Sequence, residues 1–193
     1  VAEIGCNHKG SIDIAFDLIA EASQSGAEVA KLQKTTNKEL LTAEQYDAPH
    51  PNPENSYGDT YGEHREYLEF DMSEYKELID YSNKLNVILF ATPFDLKSVE
   101  FLEKLNMPLY KMASADLRNL PLQREIAKTK KPILLSTGGG TLEDVKRAKN
   151  NICEINEKLA ILQCTSSYPA ETDSLNLQVI KTYMKEFKNH IIG

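Results

Sequence analysis

The chain has 193 residues, 41% hydrophobic and 26% charged, with a formal net charge of −7. That composition belongs to a globular protein with enough apolar mass for a core, and its length predicts one domain. The negative balance argues against nucleic acid, whose phosphates need a basic face, and no apolar run approaches the roughly 20 residues that span a bilayer.

Short apolar, β-branched runs alternate with amphipathic stretches. VAEIG (1–5) reads as a strand, and residues 11–25 follow with Ile12, Ala15, Phe16, Ile19 and Ala22 at helical spacing. Ser11 suits an N-cap and Gly26 a stop. AEVAKLQ (27–33) is a second strand. A polar segment with three prolines, about residues 42–62, interrupts the rhythm before a helix near 73–85. VILFATP (87–93) is a third strand, and a helix near 96–105 leads to a fourth at 109–114. A helix near 121–129 precedes PILLST (132–137), residues 141–155 form a helix, and LAILQC (159–164) is the sixth strand. A helix near 176–187 leads to HIIG (190–193), a seventh.

Repeated βα units imply a parallel sheet. No GxGxxG follows any strand, which leaves a dinucleotide-binding sheet without support. The units run to about 30 residues each, as βαβ units do, and eight of them make a (β/α)₈ barrel of about 250 residues. The expectation is an α/β fold, a (β/α)₈ TIM barrel present through about its seventh strand. Val1 already reads as strand, so the N-terminus is expected to be trimmed or incompletely represented. The three cysteines, Cys6, Cys153 and Cys164, show no CxxC or zinc spacing and suit a reducing, cytoplasmic setting.

Two strands carry a lysine where a buried apolar residue is expected: Lys31 in AEVAKLQK and Lys111 in LYKMASAD. An unpaired buried charge costs several kcal/mol or more, so each needs a partner. Polar residues gather at the C-terminal ends of the strands, where a parallel barrel keeps its chemistry. They are Glu3, Asn7 and His8; Lys31 and Gln33; Thr92; Lys111, Ser114 and Asp116; Ser136 and Thr137; and Thr165, Ser166, Ser167 and Tyr168. Two ammonium groups beside hydroxyls suit an anion, because hydroxyls donate to anionic oxygens and lysine acts as a point charge. The Gly138–Gly140 run before a helix is either a backbone cradle for an oxyanion or a turn. A structural ion pair with Glu3 or Asp116 is the competing account of a buried lysine. His50 and His64 are expected to be solvated loop residues, and Tyr57, Tyr61 and Tyr67 to pack the loop or to wall a substrate.

The stretches AEIGCNHKG, GAEVAKLQK, TYGEHREYLEF, ATPFD, YKMASADLRNLP, KPILLSTGGGTLED and LQCTSSYPA, in this order along the whole chain, resemble the sialic acid synthase family, the NeuB-type N-acetylneuraminate synthases. The resemblance implies a barrel that condenses phosphoenolpyruvate with N-acetylmannosamine. Residues 1–193 would be its N-terminal catalytic domain, incomplete at the C-terminus and without the family's antifreeze-like domain, and the full protein a homodimer. Lys31 and Lys111 match the lysines that hold phosphoenolpyruvate. Thr92, Ser114 and Ser136 match its hydroxyl partners, and Ser166 falls at another polar contact. Gln33 and Tyr168 match positions facing the sugar, Glu3 a position near the reacting centre and a candidate for proton transfer, and Asp116 an acid near the phosphate.

The family's divalent metal, manganese or magnesium, is held by two histidines in G-[YL]-S-[DG]-H and E-R-H motifs. Gly193 would open the first, so both ligands are expected beyond this segment, and His8, His50, His64 and His190 match neither. Related sugars, as in legionaminic or pseudaminic acid synthases, keep the substrate open. Two further readings compete: a Schiff-base aldolase with Lys111 as nucleophile, and a non-catalytic truncated barrel that only binds an anion.

Overall fold

The computed structural model describes residues 1–193. The chain divides into two compact units, Val1–Pro108 and Leu109–Gly193.

The first unit holds strands β1 (Ala2–Gly5), β2 (Val29–Lys34) and β3 (Ile88–Pro93), paired in parallel in chain order. Helix α1 (Ile12–Gln24) connects the first two, with Ser11 as N-cap accepting from the Ile14 N–H. Helix α5 (Met72–Lys84) precedes β3 and α6 (Leu96–Lys104) follows it. Asp71 caps α5 in a reciprocal capping box with Glu74, and Asp95 caps α6 by accepting from Ser98 N. Period 2 along β2 splits its side chains between two faces. Ala30 and Leu32 are fully buried in the apolar core with Ile19, Leu78 and Leu102, while Lys31 and Gln33 alternate with them. The register sets Glu3 beside Lys31, and Gln33 beside Thr92. The β1 ladder then shifts by one residue, so that Gly5 pairs with Leu32.

The segment expected to be irregular over about 42–62 is built from short elements. These are α2 (Asn37–Leu40), α3 (Ala43–Asp47), a 3₁₀ turn at Pro53–Asn55 and α4 (Tyr61–Tyr67). Their signal is capping, not periodicity: Thr42 with Gln45 and Thr60 with Glu63 form capping boxes, while α3 buries no residue. Gly62 lets the backbone of α4 lie against the Tyr46 ring, where a Cβ would come within 2.4 Å of ring carbons.

The second unit holds β4 (Tyr110–Met112), β5 (Ile133–Ser136), β6 (Leu159–Leu162) and β7 (Ile191–Ile192), again parallel and in chain order. Helices α7 (Leu120–Lys128), α8 (Leu142–Cys153) and α9 (Gln178–Glu186) connect them. The strands are shorter than the apolar runs that announced them, because the polar ends peel away into loops. Thr141 caps α8 in a box with Asp144, whose carboxyl is held well below the usual range, first by the Arg118 guanidinium at 2.7 Å.

Candidate active site

In the first unit the sequence's odd lysine has partners on both sides. Lys31 is 5% exposed, and its ammonium lies 2.5 Å from Glu3 Oε2 and donates to Thr92 Oγ1 at 3.1 Å. Each partner comes from a strand flanking β2, so the register itself builds the cluster. Glu3 satisfies the charge while its own side chain stays 53% exposed, which leaves the carboxylate open to further contacts. Of the two structural partners considered for a buried lysine, Glu3 is the one Lys31 meets. Gln33 lies nearby: the Cys6 thiol donates to Gln33 Oε1 at 3.6 Å. Gly5, at φ +55°, leaves room for both, since a Cβ there would stand 3.3 Å from Glu3 Oε1 and 3.6 Å from Gln33 Nε2. Burial pushes the Cys6 thiol pKa up.

In the second unit Lys111 donates to the Ser136 hydroxyl and, at 3.1 Å, to the Met112 carbonyl. The Cys164 thiol also donates to Ser136 Oγ, at 3.2 Å. Ser114 Oγ accepts from Gly138 N at 3.0 Å. A Cβ on Gly138 would lie 2.4 Å from Ser166 Oγ and 2.9 Å from Ser114 Oγ. The two hydroxyls therefore converge on the space a side chain at 138 would fill, and a larger residue would have to displace them. Lys111, Ser114, Ser136 and Ser166 thus come together around the ends of β4, β5 and β6. Cys164 and Ser166 also border a cleft of about 490 Å³ with Gly139 and Thr165.

The glycine run is mainly a turn. Gly138 N–H goes to Ser114 and Gly140 N–H to the Thr137 carbonyl, so two of its three donors are committed within the chain. Gly139 takes φ +72°, and Gly140 packs against Leu117, where a Cβ would come within 2.1 Å. Thr137 donates to the Leu162 carbonyl and sits 3.0 Å from Tyr183 Oη, clasping the ends of β5 and β6. Asp116 lies buried in the 3₁₀ turn Ser114–Asp116 after β4, where Asn119 donates to its Oδ1 at 3.0 Å. Tyr168, expected to face the sugar, is 98% exposed.

Lys34 and its partners escaped the sequence reading, as did the surroundings of His8, His50 and His64. Lys34, on the opposite face of β2 from Lys31, is 2.8 Å from Glu69 Oε2, 3.0 Å from the Phe70 carbonyl and 4.5 Å from the Phe101 ring centroid. Glu69 also accepts from the Thr35 N–H and hydroxyl, and Tyr75 Oη donates to the Gln33 carbonyl. This buried set clamps the strand end from which Lys31 and Gln33 project. His8 is 2% exposed, stacked on Phe70 at 4.2 Å, and accepts from Gly10 N at 3.1 Å through Nδ1. His50 and His64 are not simply solvated: their rings stand 4.3 Å apart within a stack that includes Tyr57, Tyr61 and Tyr67. Tyr57 and Tyr61 pack against these histidines, and Tyr57 against Tyr67. The signals were a lone glutamate preceding an apolar residue and aromatic residues at irregular spacing, neither of which identifies a partner.

No three histidine, cysteine, aspartate or glutamate side chains are grouped to hold a metal ion. Glu3 is engaged by Lys31, and His8 is buried against Phe70.

The NeuB family profile matches residues 18–193. N-acetylneuraminate-9-phosphate synthase of Mus musculus is 37% identical over the whole chain, which covers 54% of that protein. N,N'-diacetyllegionaminic acid synthase of Campylobacter jejuni is 34% identical over 97% of this chain and 57% of its own length. The chain thus spans about half the length of the curated relatives it matches. Among solved structures, N-acetylneuraminic acid (sialic acid) synthetase from Leptospira borgpetersenii, in complex with citrate, superposes with a TM-score of 0.84 at 27% identity. That match covers 100% of this chain and 62% of that one. The fold is α/β of the (β/α)₈-barrel kind, and the chain belongs to the NeuB family of sugar-acid synthases.

Proposed function

We propose that this chain carries phosphoenolpyruvate-binding groups of a synthase that condenses phosphoenolpyruvate with N-acetylmannosamine. The observation that carries the reading is the environment of the two strand lysines. Each ammonium meets a hydroxyl near the C-terminal end of the next strand, Thr92 for Lys31 and Ser136 for Lys111. Such groups are preorganised donors for carboxylate and phosphate oxygens. Ser114 and Ser166, converging over Gly138, add hydroxyl donors, and Asp116 stands on the adjoining turn.

In the proposed reaction C3 of phosphoenolpyruvate attacks the aldehyde carbon of the open-chain sugar. Water adds at C2, and phosphate departs with cleavage of the C–O bond, leaving the 2-keto acid. Lys31 and Lys111 hold the anionic charge throughout. Glu3, half exposed beside Lys31, transfers the proton to the new hydroxyl or from water, and Gln33 and Tyr168 face the sugar. Family resemblance adds a manganese or magnesium ion, a cytoplasmic homodimer and a catalytic barrel that continues past Gly193. No step is assigned to the ion.

A Schiff-base aldolase with Lys111 as nucleophile is less well supported, because a second strand lysine and the hydroxyl beside each of the two suit an anion better. Borohydride in the presence of pyruvate would trap a covalent adduct only on that reading. Relatives named for N-acetylneuraminate 9-phosphate and for diacetyllegionaminate are 37% and 34% identical, too similar to rank the sugars. A competition assay among amino sugars decides the substrate. The central test uses the complete protein. Lys111→Ala should weaken phosphoenolpyruvate binding by ~2–5 kcal/mol, the cost of truncating one partner of a desolvated charge pair. Unchanged affinity by calorimetry removes Lys111 from the site. Oxygen-18 in the bridging position of phosphoenolpyruvate should leave with phosphate; label retained in the sugar acid refutes C–O cleavage.

A further inference from the structure

We infer that Cys164 is a positioning residue for the anion site: its thiol orients the Ser136 hydroxyl toward the bound anion. The inference deepens the phosphoenolpyruvate reading and rests on it. A serine hydroxyl has one proton to give and two lone pairs to accept with. Ser136 Oγ receives the Lys111 ammonium on one side and the Cys164 S–H, at 3.2 Å, on the other. An ammonium cannot accept a hydrogen bond, so the Ser136 proton cannot point back at Lys111. With the thiol proton occupying the second lone pair, the hydroxyl proton is directed away from both neighbours.

Burial makes this orientation consequential. Ser136 is 4% exposed, so bulk water does not reset its rotor freely. A hydroxyl already polarised by an ammonium and aimed by a thiol is a stronger donor to an oxyanion than one free to rotate, because a preorganised dipole loses less on binding. Cys164 needs no reactivity for this role; it stands one residue from Thr165 at the end of β6 and takes up the lone pair that a hydrophobic residue would leave open.

Four variants of the complete protein test the inference: Cys164→Ala, Cys164→Ser, Ser136→Ala and the Cys164→Ala/Ser136→Ala double variant. Phosphoenolpyruvate affinity is measured by calorimetry and folding by thermal melting. Cys164→Ala should weaken phosphoenolpyruvate binding about two- to tenfold, the range of one lost hydrogen bond. Cys164→Ser, which keeps a donor in nearly the same volume, should stay within about twofold of the parent on the same scale. With Ser136 already alanine, Cys164→Ala should change affinity no further, because the thiol acts only through that hydroxyl. An equal loss in both backgrounds, a serine variant as weak as the alanine one, or unchanged affinity in Cys164→Ala overturns the relay. If Cys164→Ala does not fold, the serine variant still decides: a folded serine variant with weakened affinity refutes the role. If Ser136→Ala itself leaves affinity unchanged, the phosphoenolpyruvate reading has failed at this site, and the relay with it.

Discussion

Protonating His8 should destabilise the folded protein in a pH window its sequence position does not reveal. The ring is 2% exposed, and burial lowers its pKa from 6.5 to about 4. The Gly10 N–H donates to Nδ1, which also requires that nitrogen to be unprotonated. Above pH 6.5 the imidazole is neutral in both folded and unfolded chains and contributes nothing to the pH dependence. Below it the unfolded chain binds a proton that the folded one refuses, so stability falls as pH falls. At ~1.4 kcal/mol per pH unit of mismatch, the loss is about 2 kcal/mol at pH 5 and saturates at about 3–4 kcal/mol once the pH is below the folded value. The comparison is with His8→Asn, whose Oδ1 keeps an acceptor for Gly10 but cannot titrate. Urea unfolding of both proteins from pH 7.5 to 4.5 should show the parent losing about 2–3 kcal/mol more than the variant. Every other titrating group is common to the two, so the difference isolates His8. Parallel pH profiles, or a His8 ring resonance that titrates near 6.5 in the folded protein, would refute the reasoning.

Three other substitutions probe the groups around the site. Glu69→Gln leaves Lys34 buried without a counter-charge, with its ammonium beside Phe101, and should cost ~3–5 kcal/mol in urea unfolding; adding Lys34→Met should recover part of it, and no recovery would mean the pair is not what Glu69 contributes. Gly138→Ala places a Cβ where Ser166 Oγ would be 2.4 Å and Ser114 Oγ 2.9 Å away. It should cost ~1–3 kcal/mol of stability, and an unchanged melting temperature would show that both hydroxyls move aside freely. Glu3→Gln should lower turnover by ~10²–10⁴ if Glu3 transfers a proton, with phosphoenolpyruvate affinity little changed; a lowered melting temperature at full turnover would leave Glu3 as the partner of Lys31 alone.

The order of strands and helices was legible in the chain because strand and helix impose different periods on apolar residues. The runs around Ala30, Leu89, Met112, Leu135 and Ile161 each became a strand, and Ser11 capped the helix that follows it. The suspicion attached to Lys31 and Lys111 was also a sequence-level inference, since a charge inside an apolar run must meet a partner. Which partner each meets was not legible. Lys31 meets Glu3 because the β1–β2 register sets the two side by side, and no local pattern carries that register. Lys34 meets Glu69 across 35 residues, and the short helices between them bury too little apolar surface to announce themselves. Cys164 meets Ser136 across 28 residues, although neither strand end contains a motif that names the other. Periodicity is a property of neighbours along the chain, so the sequence determines the elements. A hydrogen bond between strand ends depends on register, twist and loop path together, and those exist only once the elements have packed.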